Sequence, residues 1–434
     1  MARRGQVAAT SNRRRSVVDN AFKISINTEN LGGTGSATRT FILPAYGGPF
    51  DVTDWGDGSS DLAVSGSQTH EYEETGTYTI TINKITNNFR PCYFNDGGDE
   101  LKIIDIENWG NIRWDSGYGV FRGCANLDIS ATDNPDFSAS TNMYTLFYNC
   151  SSITKHCKYD APLAASWAYA FYNNSSLTSM PISDTSGGTD FGNWMRLCTS
   201  LTSVPAFDVS SGVEFGAAWR ECDKVTSFSS ELDFSSADQF DYGFYKVESC
   251  TSYPSEWDFS NVTNARGIFR NNFAVTSFPS EWNFDNVNAL GGREMFRECT
   301  SLTSLPAYSF NGVTNFQYML YGNQAMVNIP NFPDSAIVTN FDGAFRWMGT
   351  VGMPTTLDMS GMDNGNLCFY LTTIPDAAYQ LLIIDLEANN DNEDVVFYGG
   401  YASLDGDVTS IAARTALVDD KGWTITDGDG THAP

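Results

Sequence analysis

The sequence is poor in residues suited to catalysis. It has only three histidines in 434 residues, at His70, His156 and His432, and they are far apart. Little is left for acid–base or metal chemistry, and no nucleophile-elbow, zinc-protease, phosphate-loop or convincing dinucleotide motif occurs. We therefore predict that the protein is not an enzyme. A glycoside hydrolase with paired carboxylates stays open, although 52 acidic residues create such pairs by chance.

Long apolar runs are also missing. None approaches the roughly 20 residues that span a bilayer, and arginines interrupt the start of the chain, where a secretory signal would have its apolar stretch. We expect no membrane insertion. We also expect synthesis in a host cytoplasm, with any exit by a route other than general secretion, such as particle assembly followed by lysis.

Positive charge is scarce, with 25 basic residues against 52 acidic ones and a formal net charge of -27. Such a surface repels nucleic acid, so we predict none as a partner. The exception is the N-terminus, where five arginines precede any acid. They form either a solvated terminus or an arm that binds an acidic partner, and we take them as candidate partner-binding residues: Arg3, Arg4, Arg13, Arg14 and Arg15.

The nine cysteines are an odd number in a long chain, which argues against a disulfide framework. No second cysteine or histidine stands at zinc-ligand spacing beside them. We predict free, buried thiols and no zinc site.

The chain repeats itself with a period near 24 residues. A large apolar residue, here called the anchor, marks each unit: Phe121, Phe147, Phe171, Met195, Trp219, Phe244, Phe269, Phe296, Leu320 and Phe345. Three residues later comes mostly Cys or Asn, six later an aliphatic residue, and ten later often a proline. Such periods are typical of leucine-rich repeats, in which stacked units bury one continuous core.

The pattern also predicts local structure. Residues 302–306 place polar side chains between two leucines and end in proline, and we predict one short strand per repeat there. Residues 317–320 before one anchor predict a single helical or 3₁₀ turn on the opposite side. The slot that accepts Cys or Asn requires a small buried group that can bond bare backbone.

Units such as residues 296–306 resemble the BspA-type leucine-rich repeat of bacterial surface proteins, which also occurs on phage structural proteins. The resemblance covers about residues 110–360. It implies a right-handed solenoid used for adhesion and protein contact, with no catalytic residues.

A second resemblance lies before the repeats. Trp55-Gly-Asp-Gly58, His70-Glu-Tyr72 and Gly76-Thr-Tyr78 resemble the polycystic-kidney-disease (PKD) type of immunoglobulin-like sandwich. We predict this sandwich over residues 22–86, with alternating strands at 22–26, 50–55 and 76–82. Asp54 and Asp57 serve either a turn or calcium. The acidic segments 389–394 and 427–430 are either solvated loops or calcium sites. We predict no cofactor, with calcium as the alternative.

The predicted fold class is mainly β with short helical turns. Five regions are expected: a basic arm at 1–21, the PKD-like sandwich at 22–86, a linker and N-terminal cap at 87–120, a solenoid of about ten coils at 121–366, and an α/β C-terminal cap and tail at 367–434. In the cap we predict helices at 376–387 and 410–420 and a strand at 423–426.

The resulting hypothesis is a non-catalytic structural protein of a virion surface, on the capsid or the tail. Its arm and sandwich would contact other virion proteins, and its solenoid a host protein or glycan; a homo-oligomer stays open. A bacterial cell-surface adhesin is the first alternative. A carbohydrate-binding module is another, with Tyr242, Trp257 and Trp282 as candidates, although we expect core packing for at least two of these aromatic side chains.

Overall fold

The computed structural model describes residues 19–31, 35–86, 89–354 and 357–433. It is mainly β, as predicted, with few helices. The N-terminal strands are β1 (Phe22–Asn27), β2 (Thr40–Leu43), β3 (Tyr46–Gly47), β4 (Phe50–Asp54), β5 (Asp61–Val64), β6 (Gln68–Glu71), β7 (Thr77–Lys84), β8 (Phe89–Arg90), β9 (Ile103–Asn108) and β10 (Asp128–Ile129). The strands predicted at 22–26, 50–55 and 76–82 are therefore present.

One six-stranded sheet organises this part, in the order β10-β9-β1-β7-β4-β5. Strand β1 pairs antiparallel with both β7 and β9, and β9 pairs in parallel with β10. Two further two-stranded sheets, β2 with β6 and β3 with β8, complete the N-terminal region. The sheet thus contains strands on both sides of the predicted boundaries at residues 86 and 120.

The hydrophobic core crosses the same boundaries. Trp109 is fully buried, with its ring centroid 6.0 Å from Phe22 in β1 and 5.8 Å from the anchor Phe121. Trp114 contacts both rings as well. The N-terminal sheet and the first repeat therefore share one core, and the two tryptophans link them.

The anchors form the central column of the repeats. None of the ten is more than 1% exposed. Successive rings stack at centroid distances such as 5.1 Å for Phe121 and Phe147, and 5.3 Å for Trp219 and Phe244. Phe369 extends the column beyond residue 366, at 5.3 Å from Phe345. The predicted register of the repeat is confirmed by this burial.

Neighbouring repeats are joined in parallel. One equivalent residue of each unit bridges to the next, in the series Asn142, Ser166, Asp190, Glu214, Gln239 and Asn264. Regular strands are only two residues long here: β11 (Ser203–Val204), β12 (Ser227–Phe228), β13 (Gly349–Thr350) and β14 (Thr372–Thr373). β11 pairs with β12, and β13 with β14.

The short strand predicted for each repeat is present as β11 and β12 in two repeats, but at 302–306 the prediction is wrong. No strand is assigned there, and Thr303 makes one backbone bond to each side, donating to Thr276 O at 3.1 Å and accepting from Val327 N at 3.3 Å. Pro306 has no N–H to extend such a ladder.

The helical turn predicted at 317–320 is also wrong, because the backbone there forms successive β-turns. Tyr318 and Leu320 donate their N–H groups to the next repeat, while Met319 and Tyr321 donate to the carbonyl three residues back. Tyr318 has φ of 56°, the left-handed conformation that a helix cannot contain. Every second N–H group can therefore bond to the next repeat. In a helix these groups would be used in hydrogen bonds within the helix.

The Cys/Asn slot provides a donor, as predicted. Cys150, Cys198 and Cys222 each direct Sγ to the carbonyl of the preceding repeat's anchor, at 3.0 to 3.2 Å. Asn323 Nδ2 donates to the equivalent carbonyl of Phe296 at 3.0 Å. All nine cysteines are free, and all but the half-buried Cys157 are buried, which confirms the prediction for eight of them.

The C-terminal part contains both predicted helices, α1 (Asp376–Asn389) and α2 (Val408–Asp419), and a three-stranded sheet of β15 (Val396–Tyr398), β16 (Thr424–Asp427) and β17 (Gly430–His432). A short 3₁₀ helix at Ser335–Ile337 precedes them. None of the helices in the described residues has the length and apolar character needed to cross a membrane.

Candidate interaction surface

The five arginines predicted to bind a partner, Arg3, Arg4, Arg13, Arg14 and Arg15, lie outside the described residues. Their role stays a prediction.

The aromatic side chains considered for sugar binding separate into two groups. Trp257 and Trp282 are 2% and 4% exposed, and their indole N–H groups donate to the carbonyls of Ser229 and Pro254. Both belong to the core, which confirms the expectation for two of the three. Tyr242 is half-buried at the surface.

The carboxylates considered for calcium already have partners. Asp54 accepts hydrogen bonds from the N–H groups of Gly56 and Gly58, and Asp57 accepts from Ser59 and from His70 at 2.8 Å. Burial raises the pKa of Asp57, but these bonds outweigh it and lower the value to about 2. The geometry is that of a closed turn.

The C-terminal acidic segment is similar. Asp427 has a fully buried side chain that forms an ion pair with Arg414 at 3.1 Å and accepts from the Tyr379 hydroxyl at 2.9 Å. In the described parts of the chain, no group of three His, Cys, Asp or Glu side chains is placed to hold a metal ion.

The buried histidine has a structural environment. The His156 ring lies 4.9 Å from Phe147 and 4.8 Å from Phe171, between two anchors. Its nitrogens hydrogen-bond to the Tyr159 hydroxyl at 2.9 Å and the Asn174 amide at 3.1 Å. Burial lowers the pKa of His156 to about 3, so the ring is neutral at pH 7.

This burial predicts acid sensitivity. Because the folded pKa lies below the unfolded value of about 6.5, the unfolded chain binds the extra proton. The stability that neutral His156 contributes is present above pH 6.5 and is lost as pH falls towards 3. We expect about 2 kcal/mol to be lost by pH 5, at about 1.4 kcal/mol per pH unit. Urea unfolding from pH 7 to 5 measures it.

The matched variant is His156→Gln, which cannot gain this proton. It should be less stable at pH 7 but have a shallower pH dependence. Parallel curves for the two proteins over this range would contradict the assignment.

An organised feature of the surface follows the anchors. The residue directly after each anchor, and after Phe369, is half-buried and is always Arg or Tyr. We call this column the Arg–Tyr ladder: Arg122, Tyr148, Tyr172, Arg196, Arg220, Tyr245, Arg270, Arg297, Tyr321, Arg346 and Tyr370. The preceding anchor is aromatic in every repeat except those of Met195 and Leu320.

Neighbouring members of the ladder stack on one another. Guanidinium carbons lie 4.7 to 5.5 Å from the adjacent ring centroids, as for Arg220 over Tyr245 at 4.8 Å and Arg297 over Tyr321 at 4.7 Å. Tyr148 and Tyr172 stack directly at 4.7 Å. Such cation–π contacts are worth about 0.5–1 kcal/mol each at exposed sites. They also hold long side chains in fixed positions before any partner arrives.

The electrostatic setting of the ladder varies along it. Glu221 lies 3.8 Å from Arg196 and 3.5 Å from Arg220. Arg346, by contrast, stacks between Tyr321 and Tyr370 and forms no ion pair with any described residue. The ladder is thus a cationic and aromatic stripe on a strongly acidic protein.

The sequence did not predict this stripe, although its signal is present. Apolar or small residues recur three, six and ten positions after the anchor, and this recurrence defines the predicted repeat. The position directly after the anchor is either Arg or Tyr. These residues share no hydrophobicity class, but both have a flat group that can stack.

Arg and Tyr are the side chains that dominate the energy of binding interfaces. Residues held in their bound conformation lose little entropy on association. The ladder is therefore suited to binding a partner, and its members show no arrangement of nucleophile and base.

Comparison with known proteins gives a family but no activity. No curated protein and no solved structure matches the chain. One family model matches twice, over residues 115–252 and 214–332, and these overlapping matches cover half of the chain. The protein therefore belongs to the family described as "Mycoplasma protein of unknown function, DUF285".

Proposed function

We propose that this protein is a non-catalytic binding protein of a particle surface, and that the Arg–Tyr ladder is the face through which it contacts its partner. The ladder is the observation that carries this proposal. It places stacked, half-buried Arg and Tyr side chains along successive repeats, the composition and preorganisation that binding sites use.

We further propose that the repeats form a leucine-rich-repeat-like solenoid. Support comes from the buried anchor column and from the parallel bridges between equivalent residues of successive repeats. In a solenoid each unit contacts mainly its neighbours, so surface residues at one repeat position line up in a column. The ladder would then be a direct product of the repeat.

The N-terminal region is proposed to be a PKD-like sandwich. Its resemblance motif is packed together: the rings of Trp55 and His70 stack at 4.7 Å, and those of Tyr72 and Tyr78 at 3.8 Å. The Tyr72 hydroxyl donates to the Trp55 carbonyl at 2.9 Å. These contacts give each motif residue a structural role.

The proposed setting is a virion surface, on the capsid or the tail. Negative-stain electron microscopy of native particles, labelled with an antibody to the repeats, tests it. Label on heads or tails is expected and would separate capsid decoration from host attachment. Label on bacterial cell surfaces alone would replace this setting with that of a cell-surface adhesin.

A further inference from the structure

We propose that two arginines of the ladder and two that stand beside them form a site for a carboxylated oligosaccharide; this inference rests on the proposed function. The arginine block consists of Arg266 and Arg270 in one repeat and Arg293 and Arg297 in the next. In each pair, the first arginine stands three residues before the anchor and the second stands directly after it. Because the positions are equivalent in adjacent repeats, the four guanidinium groups form a two-by-two patch.

A buried acid holds the block together. Glu294 has a side chain only 7% exposed. It accepts hydrogen bonds from Arg266 at 3.0 Å and from Arg270, and it forms an ion pair with Arg297 at 3.5 Å. Arg293 instead donates to Gln317. One terminal nitrogen each of Arg266, Arg270 and Arg293 takes no part in a hydrogen bond with a described residue. Donors thus remain for a ligand on half-exposed side chains.

Two pairs of tyrosines border the block. Tyr242 and Tyr245 lie on the preceding repeat and Tyr318 and Tyr321 on the following one, with centroids 5.9 and 5.8 Å apart within each pair. Arginines of the block stack over all four rings, at 4.7 to 5.6 Å.

A glycine of the next repeat lies against one tyrosine ring of each pair, where a larger residue would clash. A Cβ added at Gly267 would lie 2.5 Å from the Tyr242 ring, and one at Gly343 would lie 2.5 Å from the Tyr318 ring. Both glycines occupy the left-handed region, with φ of 59°. The two ends of the block are therefore built in the same way.

The charge of the block favours an anion. Four guanidinium groups have two carboxylates within ion-pair distance, Glu294 and Glu298, and Asp241 acts on Arg266 from further away. Positive charge is in excess at this place, in a chain whose net formal charge is -27. The planar guanidinium fork matches a carboxylate, which it can bind through two parallel hydrogen bonds.

The surroundings favour a slender ligand. The block is two repeats wide, on the order of 10 Å at the spacing of adjacent strands, and the rest of the protein is acidic. The acidic surface around the block would repel a broad acidic protein partner, whereas a slender sugar chain can contact the block alone. Tyrosine hydroxyls at both ends can hydrogen-bond to sugar hydroxyls, so an oligosaccharide with carboxylate groups fits best.

Isothermal titration calorimetry of the full chain with two carboxylated probes, a galacturonate hexamer and a sialic acid tetramer, tests this site. We expect at least one to bind, more weakly at higher salt, and the neutral maltohexaose not to bind. Arg266→Gln with Arg297→Gln should weaken binding at least about tenfold, a loss of about 1.4 kcal/mol. Arg39→Gln with Arg113→Gln, two exposed arginines outside the ladder, should change it less than about twofold.

Since the double variant also disturbs Glu294, Arg293→Gln provides a second test that leaves the Glu294 ion pairs intact; we expect about threefold weaker binding. The inference is overturned if neither carboxylated probe binds, or if the two double variants weaken binding equally. Tighter binding of a hexaglutamate peptide would replace the sugar with an acidic peptide. None of these results alters antibody labelling of particles, so a failure here differs from a failure of the proposed function.

Discussion

Replacing Phe269 with alanine is expected to lower the free energy of unfolding by about 3–5 kcal/mol, the range for a large aromatic side chain removed from a core. Phe269 is fully buried, and its ring stacks between the anchors Phe244 at 5.5 Å and Phe296 at 5.9 Å. Trp282 covers it at 5.3 Å. Alanine would leave a cavity in the middle of the column, and rings held by their own neighbours cannot close it.

Denaturant unfolding followed by far-UV circular dichroism measures the effect. Leu290→Ala is the matched control because Leu290 lies in the next repeat and is 56% exposed; we expect a change below about 0.5 kcal/mol. A loss under about 1 kcal/mol for Phe269→Ala would mean that stacking of the anchors contributes little to the stability of the repeats. Amide exchange would show whether opening starts in the two repeats that contact Phe269.

The sequence predicted the repeat well because burial leaves a periodic trace. Each anchor and each aliphatic residue six positions later, such as Leu201, must be large and apolar, and all of those named are at most 2% exposed. The Cys/Asn slot was predictable because the same two residue types recur there, and in six repeats the slot side chain reaches the carbonyl of the preceding anchor. The first helix of the C-terminal region was predictable from Pro375 before it and from its apolar spacing, and the second from the Lys421-Gly422 stop signal after it.

The backbone between these positions was predicted less well. Tyr318, Thr145 and Leu197 adopt positive φ, a conformation that sequence patterns normally assign to glycine. Nothing in the type of these residues indicates the turn, because hydrogen bonds to the neighbouring repeat impose it. Contacts between repeats cannot be deduced from one unit alone.

The binding face was missed for a related reason. Its residues are neither buried nor chemically alike, so hydrophobic periodicity does not identify them. Tyr245 and Arg270 become a feature only when the fold places one above the other, at 5.4 Å. The arginine block depends further on Glu294, which appears in the sequence as one acid among 52.

The N-terminal region contains a charge pair that the sequence did not predict, formed by Lys102, directly before β9, and Asp99. The side chain of Lys102 and that of Asp99 are fully buried, 3.1 Å apart. Lys102 Nζ donates to the carbonyls of Ser36, Ala37 and Thr40. Asp99 accepts from the N–H groups of Ser36 and Ile42. Together they fix the segment before β2 against the start of β9.

Lys102→Met is therefore expected to lower the free energy of unfolding by about 3–5 kcal/mol, because it leaves the Asp99 carboxylate buried without its cation. Thermal and urea unfolding at pH 7 measure the loss. The double variant Asp99→Asn with Lys102→Met removes both charges and should recover part of it, since a buried pair that is deleted whole costs less than one that is broken. If the double variant is as unstable as the sum of its single variants, the two side chains act independently and the pair contributes no coupling. A loss below about 1 kcal/mol for Lys102→Met would instead mean that water reaches Asp99, and that the segment before β2 is held by its backbone hydrogen bonds alone.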